Sequence, residues 1–186
     1  IGRRDFALHA VGGIIFSDLT SVAHPSSSAY PPDTAISDDF RLTGCWRVPG
    51  SHLQIGVVLS ETIYPSHFTI DHVPRLLAHN IHEAPRKVIL WGVVDGSPNQ
   101  ATYSHLHDSL ASLAVFNRSG PPMHAGYTFV PLAVSEYDPS TGPHVQTFPV
   151  HPKVVESGID IGLVVLDVLG NWGADATELC RLRVHG

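Results

Sequence analysis

Residues 162–186 read GLVVLDVLGNWGADATELCRLRVHG. From Leu163 to Leu169 the run is aliphatic and β-branched, with Asp167 as its only charge. A short apolar run of this kind suits a strand buried on both faces. Gly170, Asn171 and Gly173 bring turn chemistry around Trp172, because glycine and asparagine adopt backbone angles that other residues avoid. Leu179 to His185 then alternates, with Leu182 and Val184 on one face and Arg181, Arg183 and His185 on the other. The end of the chain therefore reads as strand, tight connection, final strand.

Working outward, the same signals recur. Strand patterns begin after the Gly12-Gly13 break at 14–16, and return at 53–60 (LQIGVVLS), 68–73 (FTIDHV), 88–94 (VILWGVV), 127–135 and 145–150. Pro74 stops the third of these, since proline cannot donate to a ladder. Short strands separated by Gly/Pro turns indicate a mainly β fold, a compact antiparallel β-sandwich of jelly-roll type. At 186 residues it forms one domain over 1–186. Two stretches depart from the pattern. Residues 17–34, SDLTSVAHPSSSAYPPDT, are rich in Ser and Pro and read as an irregular flap. Residues 97–126 form a short helical insertion. In it Tyr103, Leu106, Leu110, Leu113 and Ala114 follow helical spacing, predicting a helix over 102–115 with Asn99 or Thr102 as cap.

Composition narrows the function classes. A 43% apolar and 15% charged chain is globular. A net charge of −6 without a basic run argues against nucleic acid, whose phosphates require clustered Lys and Arg. No stretch is apolar for long enough to span a bilayer as a helix. The chain begins at Ile1 rather than Met, so it is expected to be a fragment of a longer protein. Cys45 and Cys180 are either two buried free thiols or a bridge between the ends of the fold, which needs an oxidising compartment.

Motif chemistry points away from catalysis. There is no nucleophile elbow, P-loop, dinucleotide fingerprint or zinc-protease helix. The 13 histidines include His79-x-x-His82 and His105-x-His107. The second pair falls in the predicted helix, where residues two apart diverge. A cupin-like metal enzyme needs three converging ligands, and no such spacing is present. Asp38-Asp39 near Gly44 reads either as a hard-cation loop or as a solvated acidic turn. Asn117-Arg118-Ser119 is a glycosylation sequon.

Several stretches together resemble one family. They are RRDFALHAVGG (3–13), GCW (44–46), FTIDHVPR (68–75), APRKVILWG (84–92), VQTFPV (145–150), NWG (171–173) and RLRVHG (181–186). In this order and spacing they resemble a SUN domain. The resemblance implies a non-enzymatic β-sandwich in the perinuclear space. Such a domain sits on a trimeric coiled coil, which is absent here, and binds the C-terminal tail of KASH proteins. It thereby forms a nuclear-envelope bridge, the LINC complex. It implies strand addition to a lid and capture of the tail carboxylate.

Carried onto this chain, the resemblance makes His72 a tail-binding residue beside Pro74. It places Ser17, Asp18, Leu19, Thr20 and Tyr30 in the lid, and pairs Cys45 with Cys180. Asp39 and Gly44 fall in a loop that holds a potassium-like monovalent cation. Glu83 stands where the family pattern has a serine near the tail carboxylate, and a glutamate there repels that carboxylate unless it is paired. The alternative reading is a diverged SUN-like or discoidin-like jelly roll that binds a glycan or another lumenal ligand.

Overall fold

The computed structural model describes residues 2–22, 30–38, 44–113 and 118–186. Asp39, Ala114 and Asn117 lie outside the described residues, as do 23–29 of the Ser/Pro stretch. The strands in chain order are β1 (Ile14–Ile15), β2 (Trp46–Pro49), β3 (Leu53–Ile63), β4 (His67–Asp71), β5 (Lys87–Val93), β6 (Phe129–Glu136), β7 (Val145–Pro149), β8 (Ile161–Val168), β9 (Ala176–Leu179) and β10 (Arg181–His185). The described residues contain two α-helices, α1 (Ser97–Leu106) and α2 (Pro152–Ser157).

All pairings are antiparallel. A five-stranded sheet runs β1-β3-β8-β5-β6, a three-stranded sheet β10-β4-β7, and a two-stranded sheet β2-β9. The apolar run read first from sequence is β8, held between β3 and β5, with Leu166 opposite Ile55 on one side and Leu90 on the other. Ile55, Val57, Leu90, Val164 and Leu166 from the large sheet join Phe68, Ile70, Leu182 and Val184 from the three-stranded sheet in one core. The two inner faces thus close a sandwich, and strict alternation puts each strand's odd or even set inside.

The outer face of the large sheet is also covered. Leu19, Ile89, Trp91, Val93, Phe129 and Val165 form a second apolar cluster there. Asp167, the one charge of β8, points to this side and is 2% exposed. Asp167 Oδ2 accepts from Arg118 at 3.0 Å and from the Trp91 Nε1–H at 3.4 Å. Gln54 on β3 exchanges two hydrogen bonds with the Met123 backbone, at 2.7 and 3.0 Å, and gives a third to Leu19 O. The insertion is therefore latched onto the sheet by two polar side chains that the sheet itself buries.

Three expectations are corrected. The last strand is not continuous from 179 to 185. It breaks at Cys180, because β9 pairs with β2 while β10 pairs with β4. The helix of the insertion starts earlier, at Ser97, where Pro98 suits the first turn. It passes into a 3-10 turn from His107 to Leu113. Neither predicted residue caps it: Gly96 occupies the N-cap, and the Asn99 amide is committed to Asp95 O and to Asp160. The Ser/Pro stretch is not irregular throughout. Its described parts contain 3-10 turns at Ser17–Leu19 and Pro32–Ile36, whose apolar residues Leu19, Ala35 and Ile36 are fully buried.

Candidate functional site

The site predicted from sequence is built where β4 ends, beside the two-stranded sheet. Trp46 faces Leu179 in the β2–β9 register, so one further step places Cys45 opposite Cys180. The two are joined by a disulfide spanning 135 residues. Cys180 is also the residue at which the chain passes from β9 to β10. The bridge therefore ties the small sheet to the strand that leads into the three-stranded sheet, and Val73 packs against it.

His72 follows β4. Its backbone N–H donates to His144 O at 2.9 Å. Its ring is fully buried, with Nδ1 donating to Val73 O at 3.2 Å and Nε2 3.7 Å from Glu178 Oε2. Burial pushes the His72 pKa down, with the Val73 carbonyl and Glu83 pulling the other way. Pro74 then opens a turn in which its carbonyl accepts from the Leu77 and Ala78 N–H groups. That turn leaves Leu76 and Leu77 projecting into solvent, 96% and 76% exposed. His72 thus does not reach the surface as its matching position suggested. Its neighbours on the following turn do.

Glu83 ends a 3-10 turn, Ile81–Glu83, whose N-cap Asn80 accepts from the His82 N–H. Glu83 is buried and receives a fork from Arg47, Nε at 2.7 Å and a terminal nitrogen at 2.9 Å. That hydrogen-bonded pair holds the Glu83 carboxyl below the usual carboxylate range, against the opposing effect of burial. The glutamate is therefore paired, which removes the repulsion expected of an isolated carboxylate. Glu178 sits directly across from Arg47 in the β2–β9 register. Burial pushes its carboxyl up, and the nearby Glu83 adds to that.

The predicted lid residues lie in two places. Ser17, Asp18, Leu19 and Thr20 dock on the outer face of the large sheet, where Thr20 Oγ1 donates to Phe16 O and accepts from the Gly56 N–H. Gly56 is required there: a Cβ would lie 2.8 Å from Leu19 Cβ. Tyr30, at the far end of the stretch, lies on Gly44, so that a Cβ at Gly44 would collide with its ring. Gly44 has φ +80, a conformation that favours glycine. The expected cation-loop glycine and the end of the expected lid are thus in contact.

Sequence reading singled out His72, Pro74, Glu83 and the cysteines but missed Arg47 and Glu178. A signal was present. Arg47 and Glu178 lie two residues from Cys45 and Cys180, so pairing the cysteines places them opposite each other. His79 and His82 stay on the irregular connection near the site, and His82 Nδ1 contacts Trp172 O at 3.2 Å. His105 and His107 remain on the insertion, away from it.

Comparison with known proteins agrees with this architecture. The family model described as Sad1 / UNC-like C-terminal matches residues 25–112. Human SUN domain-containing protein 5 is 23% identical over all of this chain and 44% of its own length. Human SUN domain-containing protein 1 is 26% identical over all of this chain and 22% of its own. The Klaroid protein of Drosophila melanogaster is 28% identical over 82% of this chain and 18% of its own. The chain thus spans less than half the length of each of these relatives.

Among solved structures, the family 32 carbohydrate-binding module of Streptococcus pneumoniae EndoD superposes with TM-score 0.62 at 8% identity, covering 98% of this chain and 99% of that one. Saccharomyces cerevisiae allantoicase gives 0.56 at 14% identity, over 98% of this chain and 43% of that one. At such identities the likeness is one of fold, a jelly-roll sandwich. Order of motifs, similarity along the whole chain to two SUN domain-containing proteins and the match of the family model agree: this chain is similar to the Sad1 / UNC-like C-terminal, or SUN-domain, family.

Proposed function

We propose that this domain is a non-catalytic tether that binds the C-terminal tail of a KASH protein in the perinuclear space, as part of a bridge across the nuclear envelope. Similarity to SUN domain-containing proteins carries the reading, and the Arg47–Glu83 fork supports it. A bare glutamate beside the tail terminus would oppose a carboxylate. Paired with a guanidinium it no longer presents an uncompensated charge. The exposed Leu76-Leu77 turn next to Pro74 offers apolar contact for a tail. His72 acts from beneath this surface, as a positioning residue through Glu178. A potassium-like ion on the loop containing Asp39 and Gly44 belongs to the same proposal.

The test is binding of KASH C-terminal peptides, free-acid and amidated, to this domain fused to a trimeric coiled coil. Binding that requires the free carboxylate and falls at least about tenfold in Arg47→Ala and Glu83→Lys is expected, in line with loss of a charge-assisted contact. Replacing potassium by lithium reports on the cation. A folded trimer that binds neither peptide form overturns the reading.

A second reading, a jelly roll that takes a glycan or another lumenal ligand, is favoured by one cavity. It has about 440 Å³ and opens at the end of the large sheet's outer face. Val58, Val93 and Leu163 form its floor, with Tyr127, Asn99 and Asp160 at the rim. An apolar floor with an aromatic ring and fixed polar groups suits a sugar ring. Saturable oligosaccharide binding abolished by Tyr127→Ala would support it.

A further inference from the structure

Behind the Arg47–Glu83 fork lies a group of side chains whose sulfurs the tail-binding reading leaves unused. The sulfurs of Cys45 and Cys180 and a carboxylate oxygen of Glu178 all lie within 4.8 Å of one another. His72 meets this group from the Glu178 side, with Nε2 3.7 Å from Oε2. Because Nδ1 donates to the Val73 carbonyl, the neutral ring carries its lone pair on Nε2. That buried atom has no hydrogen-bond partner among the described residues. A buried lone pair therefore faces a part-buried carboxylate with two sulfurs alongside. A buried acceptor left unpaired is costly.

We propose that, when the Cys45–Cys180 bond is reduced, Cys45, Cys180, Glu178 and His72 form a tetrahedral zinc site. The chemistry balances. Two electrons from an external dithiol break the Sγ–Sγ bond, the dithiol closes to its own disulfide, and its two protons pass to Cys45 and Cys180. Zinc binding then releases those two thiol protons to solvent, since the thiolate is the ligand.

The dimensions suit zinc. With bonds of about 2.3 Å to sulfur and 2.0–2.2 Å to nitrogen or oxygen, tetrahedral ligand atoms lie roughly 3.3–3.8 Å apart. The His72–Glu178 separation of 3.7 Å falls in that range. A carbonyl holding Nδ1–H is the usual orienting partner of a metal-binding histidine. Thiolates select zinc over potassium-like ions, so this site is separate from the loop around Gly44. Disulfide and zinc are then alternative staples for one junction of β2, β9 and β4.

The test titrates Co²⁺ and Zn²⁺ into the domain, oxidised and after reduction by a phosphine, with two free thiols verified per chain. The reduced protein is expected to bind one metal per chain and to show the thiolate-to-cobalt charge-transfer band, bleached by zinc. The oxidised protein is expected to show none. Glu178→Gln and His72→Gln are each expected to weaken binding at least about tenfold, and millimolar potassium is expected not to compete. If reduction unfolds the domain, zinc should restore its circular dichroism, and failure to do so overturns the proposal. So does a folded reduced protein without the band, or a band and affinity unchanged in both variants.

Discussion

Two of the arginine–carboxylate pairs that bury their carboxylate lie in different regions, and their carboxylates titrate in opposite directions. At the corner beside the disulfide, Arg47 grips Glu83 through two nitrogens, and the Glu83 pKa falls. On the outer face, Arg118 reaches Asp167 through one nitrogen, Trp91 adds a long bond, and the Asp167 pKa rises. The residue types match; the balance does not. Asp167 lies in the middle of a central strand, so desolvation dominates there. Glu83 lies on a turn at the rim, where the fork dominates. The fork holds a turn at the rim in place, whereas the latch holds an insertion down.

The largest effect expected comes from removing what stiffens the corner. Cys45→Ser with Cys180→Ser, without added metal, should lower stability by about 3–5 kcal/mol, as expected for a bridge closing a loop of this length. Urea unfolding measures it. If the loss is under about 1 kcal/mol, the disulfide does not distinguish the corner from the latch.

Next comes the latch. Arg118→Ala leaves Asp167 buried without its cation. It should cost about 2–3 kcal/mol, below the usual figure for a broken buried pair because Arg118 is one-third exposed. The double change Arg118→Ala with Asp167→Asn should recover most of that loss. Failure to recover would show that Arg118 acts by packing. Gln54→Ala should cost about 1–2 kcal/mol, since it leaves the Met123 backbone unpaired.

The pH dependence sharpens the contrast. Glu83 has a lowered folded pKa, so its contribution is present above the unfolded value of about 4.3 and is lost as pH falls through the folded value. Asp167 has a raised folded pKa, so stability falls as pH climbs from the unfolded value of about 3.9 through the folded one. Glu83→Gln should therefore flatten the acid side of the stability curve, and Asp167→Asn the rise-limited side above it. The same direction of change in both variants would break the comparison.

The smallest effect is expected at Arg86, which pairs with Glu136 and lies over Trp172. Both charged partners are 45% exposed. Arg86→Ala should shift stability by no more than about 0.5–1 kcal/mol, which calibrates the buried pairs.

Much of this was legible in the residues. Asp167 stood out as the lone charge of an apolar run, and Pro74 marked the end of β4. The Arg118 partner did not, because it comes from an insertion with no periodic tie to the sheet. Arg47 and Glu178 were hidden for a related reason: their meeting follows from the β2–β9 register, which depends on pairing two strands far apart in sequence. His72 was found, but its depth was not, since a histidine after a strand reads alike whether buried or exposed.

Alternation and turn chemistry are local properties of the backbone, so the sequence by itself determined most of the strands, the sandwich and, through ordered motifs, the family resemblance. The tertiary structure bore out the pairing of Cys45 with Cys180 that the resemblance implied, and it alone decided that Glu83 is paired with Arg47 and that the insertion closes the sheet's outer face. Those are matters of which distant segments share a boundary and how much water remains between them. Burial sets the cost of each unpaired charge, and only the folded chain sets burial.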